Sequence, residues 1–192
     1  MKTKSIMIVG VGGQGSLLAS RLIGNVLLAQ GFDVKVSEVH GMSQRGGSVV
    51  TYVKYGEKVY SPVIEKGEAD IIISFEALEA ARWLSYLKKG GHIVTSTQQL
   101  DPMPVIQGVM EYPQDVIGKL TAQGVNVLSC DALSLALEAG NAKASNVVLM
   151  GLVSTKMGFE EKYWQEALEK CVPAKFLELN KKAFELGESA AN

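Results

Sequence analysis

Ser5-Ile6-Met7-Ile8-Val9-Gly10-Val11-Gly12-Gly13-Gln14-Gly15 decides the fold of this chain. Residues 5–9 form a short apolar run, the pattern of a strand buried on both faces. The glycines then break the strand, and Leu18, Leu22, Val26 and Ala29 recur at helical spacing with Ala19, Ile23 and Leu27 beside them. That stripe predicts one buried helix face, ending at Gly31 as a C′ glycine. Val34, Val36 and Val39 give a second strand. Strand, glycine turn, helix and strand make a βαβ unit with a right-handed crossover.

Outward from this unit the alternation is interrupted once. Residues 48–55 and 58–61 flank Gly56-Glu57 and read as a β-hairpin, which introduces an antiparallel portion. The α/β pattern resumes with the strand Ile71-Ile72-Ile73. A helical stripe follows through Ala77, Ala80, Ala81, Leu84 and Leu87, closed by Lys88-Lys89-Gly90-Gly91. His92-Ile93-Val94-Thr95 and Val125-Asn126-Val127-Leu128 are further strands, and Leu133 to Leu137 a further helix. Asp101-Pro102-Met103-Pro104 reads as a loop. Beyond Asn146 the chain is helical: an apolar run Val147–Val153 that suits core or interface, then Tyr163–Lys170, then a helix opened by Pro173. The expected fold is α/β, a Rossmann-like, mostly parallel sheet with a β-hairpin insertion and a helical C-terminal portion, built as one domain over residues 1–192.

The 192 residues suffice for one full core. A formal charge of −1 gives a nucleic-acid partner no electrostatic support, and no apolar stretch approaches a membrane span. The start runs straight into a strand, so the expected location is cytoplasmic. Cys130 and Cys171 are the only cysteines and lack CxxC spacing. Two thiolates cannot hold a common iron–sulfur cluster, and His40 and His92 do not complete a zinc site.

Gly10, Gly12 and Gly15 match G-x-G-x-x-G between a strand and a helix, where glycine permits close approach and the helix start offers free N–H groups to an anion. Gly12, Gly13, Gln14 and Gly15 are therefore candidate cofactor-binding residues; the same turn could also serve only to pack helix on strand. A P-loop would need Lys after Gly15, where Ser16 stands. A nicotinamide site wants an acid at the end of the second strand, and Glu38 is near that place. Glu38 runs on, however, into a second glycine-rich stretch, His40-Gly41-Met42-Ser43-Gln44-Arg45-Gly46-Gly47, which ordinary dinucleotide folds lack. Ser43, Gln44, Arg45 and Gly46 join the candidate set: Arg45 can fork onto a phosphate or carboxylate, or pair with Glu38. Glu76 and Glu79 read as helix capping residues. No catalytic residue and no metal ligand set is assigned.

Residues 10–15 and 37–49 closely resemble the gamma subunit or domain of 2-oxoacid:ferredoxin oxidoreductases, and among them the small (beta) subunit of indolepyruvate ferredoxin oxidoreductases. The likeness continues through Ser61-Pro62, residues 67–70, residues 75–82, Tyr112-Pro113, Gly140-Asn141, residues 146–151 and residues 180–187. The resemblance implies a subunit inactive alone, within an enzyme that oxidatively decarboxylates a 2-oxo acid such as indolepyruvate. Acyl-CoA, CO2 and reduced ferredoxin are the implied products. It places thiamine diphosphate, magnesium and the 4Fe-4S clusters on a large partner subunit, with no cofactor held by this chain alone. It implies further that the two glycine loops face a shared active site and contact coenzyme A or the partner. A gamma subunit of a pyruvate or 2-oxoglutarate enzyme, a stand-alone NAD(P)-binding reductase, and a structural subunit that touches no substrate are the competing readings.

Overall fold

β1 (Lys4–Val11), β2 (Asp33–Val39), β3 (Ser48–Gly56), β4 (Ala69–Ser74), β5 (Leu87–Ser96) and β6 (Asn126–Cys130) form one sheet in the order β2-β3-β1-β4-β5-β6. The structure is a computed structural model that describes residues 3–39 and 46–191. β1, β4, β5 and β6 are mutually parallel, and β3 is antiparallel to both β1 and β2. β2 thus points the same way as β1 but lies two strand spacings from it, about 10 Å away.

The period of two along β1 sorts its side chains between two cores. Ile6 and Ile8 face a large cluster shared with α1 (Ser16–Ala29), α5 (Ala132–Ala139), α6 (Ser145–Met157), α7 (Glu161–Cys171) and α8 (Leu177–Ser189). Met7 and Val9 face a smaller one with α2 (Ala77–Arg82) and α4 (Val116–Ala122). Helices cover both faces of the sheet, which is why its central strands are apolar throughout rather than alternating. The apolar run Val147–Val153 is core: residues 146–154 of α6 are buried between the sheet and α8.

Three local expectations are corrected, the smallest being that Met103 and Pro104, expected in a loop, open the short helix α3 (Met103–Ile106). Residues 58–61 form no strand; β3 makes its hairpin with β2 instead, in a register that pairs Val34 with Tyr55 and Val36 with Val53. The Val59 N–H is taken by the Asp33 carboxylate at 2.8 Å, so a side chain holds this segment where a ladder was expected. Lys88-Lys89-Gly90-Gly91 does not close a helix. α2 stops at Arg82, a 3₁₀ turn covers Leu84–Tyr86, and the Lys-Lys-Gly-Gly run lies in β5, with Gly90 at φ 80° beside a register shift against β4.

Candidate functional site

The β1–β3 ladder does not stop at Val11 and Ser48. The Gly12 N–H donates to the Gly47 carbonyl at 2.8 Å, and the Gly46 N–H donates back to the Gly12 carbonyl at 3.3 Å. The two glycine-rich segments are therefore joined backbone to backbone at the carboxyl edge of the sheet, where open α/β sheets place ligands.

Beside this junction lies a cavity of about 560 Å³. Its lining, among the described residues, is Gly12, Gly13, Gly15, Ser16 and Leu17 on one side and Val39, Val49, Val50 and Thr51 on the other. α1 opens onto it from Gly15, which adopts φ 89° as the N-cap residue. No side chain caps this helix and its first turn carries no acid. Its first N–H groups and the positive end of its dipole are thus directed at the cavity wall. Gly15 is required twice over: its φ disfavours any L side chain, and a Cβ there would run into the amide of Asn146.

Of the predicted residues, Gly12, Gly13 and Gly15 line the cavity, and Gly46 is bonded to the Gly12 carbonyl. Gln14 braces the turn: its Oε1 accepts from the Val11 N–H at 2.7 Å, and its Nε2 donates to the Phe75 carbonyl at 3.1 Å and to Gln98 Oε1 at 3.3 Å. One amide thereby ties the glycine turn to the ends of β4 and β5. Ser43, Gln44 and Arg45 lie outside the described residues, as does His40. Val39, which precedes them in the chain, lines the cavity, and Gly46, which follows them, is bonded to Gly12.

Glu38 accepts from the Ser20 hydroxyl of α1 at 3.1 Å, on a strand separated from β1 by β3. A nicotinamide fold wants that acid on the strand beside β1, and here the neighbour is antiparallel β3.

The sequence reading of Glu76 and Glu79 missed most of what they do. Glu76 is the N-cap of α2, accepting from the Glu79 N–H at 2.8 Å, and it also accepts from the Leu100 N–H at 3.2 Å and from the Tyr112 hydroxyl. Burial first, and the bond to Glu76 second, hold the Tyr112 phenol above its usual pKa. Glu79, also buried, accepts from the Ser48 hydroxyl, from Arg82 Nε at 2.9 Å and from Trp83 Nε1 at 3.3 Å. It anchors β3 at its first residue after the second glycine segment. Only the E-x-x-E spacing at a helix start signals this; the partners are 31 and 36 residues away. Asn146 was missed as well. Its Nδ2 reaches the Gly15 carbonyl at 3.5 Å, while its buried Oδ1 has no partner among the described residues.

Residues 5–190 match the family described as pyruvate ferredoxin/flavodoxin oxidoreductase. The chain belongs to that family. Among its relatives, the indolepyruvate oxidoreductase subunit IorB of Thermococcus kodakarensis is 45% identical over 196 aligned positions, covering 100% of this chain and 97% of that protein. The gamma subunit of a keto/oxoacid ferredoxin oxidoreductase from Geobacter sulfurreducens superposes with a TM-score of 0.73 at 20% identity, over 98% of both chains. The 2-oxoglutarate:ferredoxin oxidoreductase of Magnetococcus marinus superposes with a TM-score of 0.76 at 20% identity, over 100% of this chain and 31% of that one.

For a member of this family the donor set is as telling as the fold. Among the described residues, no group of three or more His, Cys, Asp or Glu side chains is placed to hold a metal ion. Cys130 is buried at the end of β6, and burial pushes its thiol up to about 11; Cys171 ends α7, its thiol also raised by burial. These residues do not fit an iron–sulfur cluster or a magnesium diphosphate. Among the described residues, what the site offers is backbone N–H groups, a helix dipole, Ser16 and Thr51, and the apolar side chains of Leu17, Val39, Val49 and Val50. Among the described residues no helix is long and apolar enough to cross a membrane.

Proposed function

We propose that this chain is the small, gamma-type subunit of an indolepyruvate-type 2-oxoacid:ferredoxin oxidoreductase, one unit spanning residues 1–192, in the cytoplasm. In this reading a large partner carries thiamine diphosphate, magnesium and the 4Fe-4S clusters. The complex converts an aryl 2-oxo acid and coenzyme A to acyl-CoA and CO2 and passes two electrons to ferredoxin. The observation that carries the reading is the full-length 45% identity to an indolepyruvate oxidoreductase subunit; pyruvate/ketoisovalerate gamma subunits are only about half as similar, 23% for that of T. kodakarensis.

This chain's part is to receive coenzyme A at the cavity between the glycine segments. The Magnetococcus enzyme, 31% of whose chain has this fold, is a structure with coenzyme A and succinyl-CoA bound. The α1 N-terminus suits a phosphate of that substrate, and Arg45, in the segment between Val39 and Gly46, supplies the guanidinium. The apolar wall of Val39, Val49 and Val50 suits the pantetheine arm. A charged hydrogen bond contributes about 1.5–3 kcal/mol, so Arg45→Ala in the reconstituted complex raises the coenzyme A KM about 10- to 100-fold with the 2-oxo acid KM unchanged. An unchanged coenzyme A KM removes that role. A preference for pyruvate over indolepyruvate in the same assay removes the aryl assignment.

A further inference from the structure

After β5 the chain leaves the carboxyl edge of the sheet and returns at Tyr112 through a short arch that contains α3 (Met103–Ile106). The arch is firmly built. Turn bonds close it internally, including Val105 N–H to the Pro102 carbonyl at 2.8 Å and Val109 N–H to the Pro104 carbonyl at 2.9 Å. A single buried carboxylate, Glu76, fastens both of its ends by accepting from the Leu100 N–H and the Tyr112 hydroxyl. Yet this ordered segment turns its large apolar side chains outward: Met103, Ile106, Val109 and Met110 are 59%, 65%, 75% and 62% exposed. Its charged residues are Asp101 and Glu111, one at each end. A mostly apolar groove of about 520 Å³ runs beside it, between Leu78 of α2 and Pro102, Pro104 and Met110, with Arg82 and Glu111 also in its lining.

Scattered exposed apolar residues need no explanation, but four on one anchored arch mark a contact surface. We propose that the arch 101–111 is the seat of the large companion subunit, which meets it with an apolar surface of its own. This rests on the small-subunit reading above. The companion is favoured over a second copy of this chain by two observations. In the Magnetococcus relative, the same fold occupies 31% of a chain roughly three times longer, so there this unit is covalently accompanied by a large remainder. The arch also springs from the edge that carries the glycine cavity. The α2 residues Glu76 and Glu79 link it to Ser48, the first residue of β3, and the next residues Val49, Val50 and Thr51 line that cavity. Because residues 103–110, which carry the outward apolar side chains, include no charged residue, the contact is apolar and persists at high salt.

The test is co-expression of the intact small subunit with its affinity-tagged large subunit, comparing wild type with the double variant Ile106→Asp/Val109→Asp and the opposite-edge control Lys89→Glu. The double variant is expected to weaken the complex at least about tenfold, with the melting temperature of the isolated small subunit unchanged. Wild type and Lys89→Glu are expected to remain complexed in high salt. In hydrogen exchange, amides 101–111 of wild type should gain protection in the complex. Equal affinity of the double variant, or no protection of those amides, overturns the arch as the seat while leaving the small-subunit reading in place. A wild-type chain that never binds the large subunit overturns both. An isolated chain whose own dimer, rather than the mixed complex, is broken by the double variant assigns the arch to a second copy and also overturns the inference.

Discussion

The hydroxyl of Ser48 donates to the carboxylate of Glu79, so the first residue of β3 is fastened to α2 across the sheet edge. Glu79 is buried and also holds Arg82 and Trp83, which makes the bond one member of a small network rather than a lone contact. Glu79→Gln keeps the volume but loses the charge that all three donors face, and should cost about 1–3 kcal/mol. Ser48→Ala should cost about 1 kcal/mol. Urea unfolding of both singles and the double variant should give a double cost smaller than the sum, because the two share one bond. Strict additivity would show that the network does not act together.

Gly151 and Gly187 are the points at which α6 and α8 touch backbone to backbone. A methyl group on Gly151 would run into the Phe184 carbonyl, and one on Gly187 into the Val148 carbonyl and to within 3.2 Å of Gly151 Cα. Neither obstacle is a side chain that can swing away. Each Gly→Ala change should cost about 2–3 kcal/mol or abolish folding. Gly24, inside α1, supplies the opposite case, since a Cβ there meets no neighbouring atom within 4 Å. Gly24→Ala should stabilise by about 0.5–1 kcal/mol through helix propensity and a less flexible unfolded chain. Thermal melts of the three variants check both signs.

Acid stability should depend on Asp33 and Asp131. Hydrogen bonds from Lys35 and the Val59 N–H lower the first, and hydrogen bonds from the Ser134 hydroxyl and N–H lower the second, both from an ordinary value of 3.8. Each carboxyl is more acidic folded than unfolded, so its contribution is present above that ordinary value and is lost as pH falls through the lower, folded one. Melting temperature followed from pH 7 downward should therefore fall near and below pH 4. Asp33→Asn and Asp131→Asn should each flatten that fall. An unchanged slope would remove these two groups as its source.

Thiol labelling should separate the two cysteines. Burial raises both, but Cys130 is the more deeply enclosed and sits at about 11, with Asp131 adding to the effect, while Arg21 and Asn25 offset part of the rise at Cys171. With a thiol reagent at pH 8, Cys171 should react first and Cys130 only as the protein opens. Peptide mapping of the labelled protein would show the order, and early label on Cys130 would contradict it.

Much of this architecture is legible in the sequence because local pattern and tertiary context agree there. The run ending at Gly10, the stripe Leu18–Ala29 and the stop at Gly31 all fall where the strand, helix and cap stand. The failures are decisions made at long range. Nothing local told Val34 and Val36 that their partner would be β3, nor that Asp33 would occupy the Val59 N–H and keep 58–61 out of the sheet. The stripe through Leu84 and Leu87 looked helical because it packs on the same core that α2 packs on, although the backbone has already tightened into a 3₁₀ turn. Within the site, glycines were readable because few residues substitute for them. The roles of Glu76, Glu79 and Asn146 were not, since each depends on partners brought near only by the sheet.

The paired bonds between Gly12 and Gly46–Gly47 carry the β1–β3 ladder past Val11 and Ser48. Gly12 and Gly13 on one wall of the cavity, and Val49, Val50 and Thr51 on the other, are thereby joined through main-chain bonds alone. A side-chain substitution on either wall therefore changes what lines the doorway without unhinging its two posts.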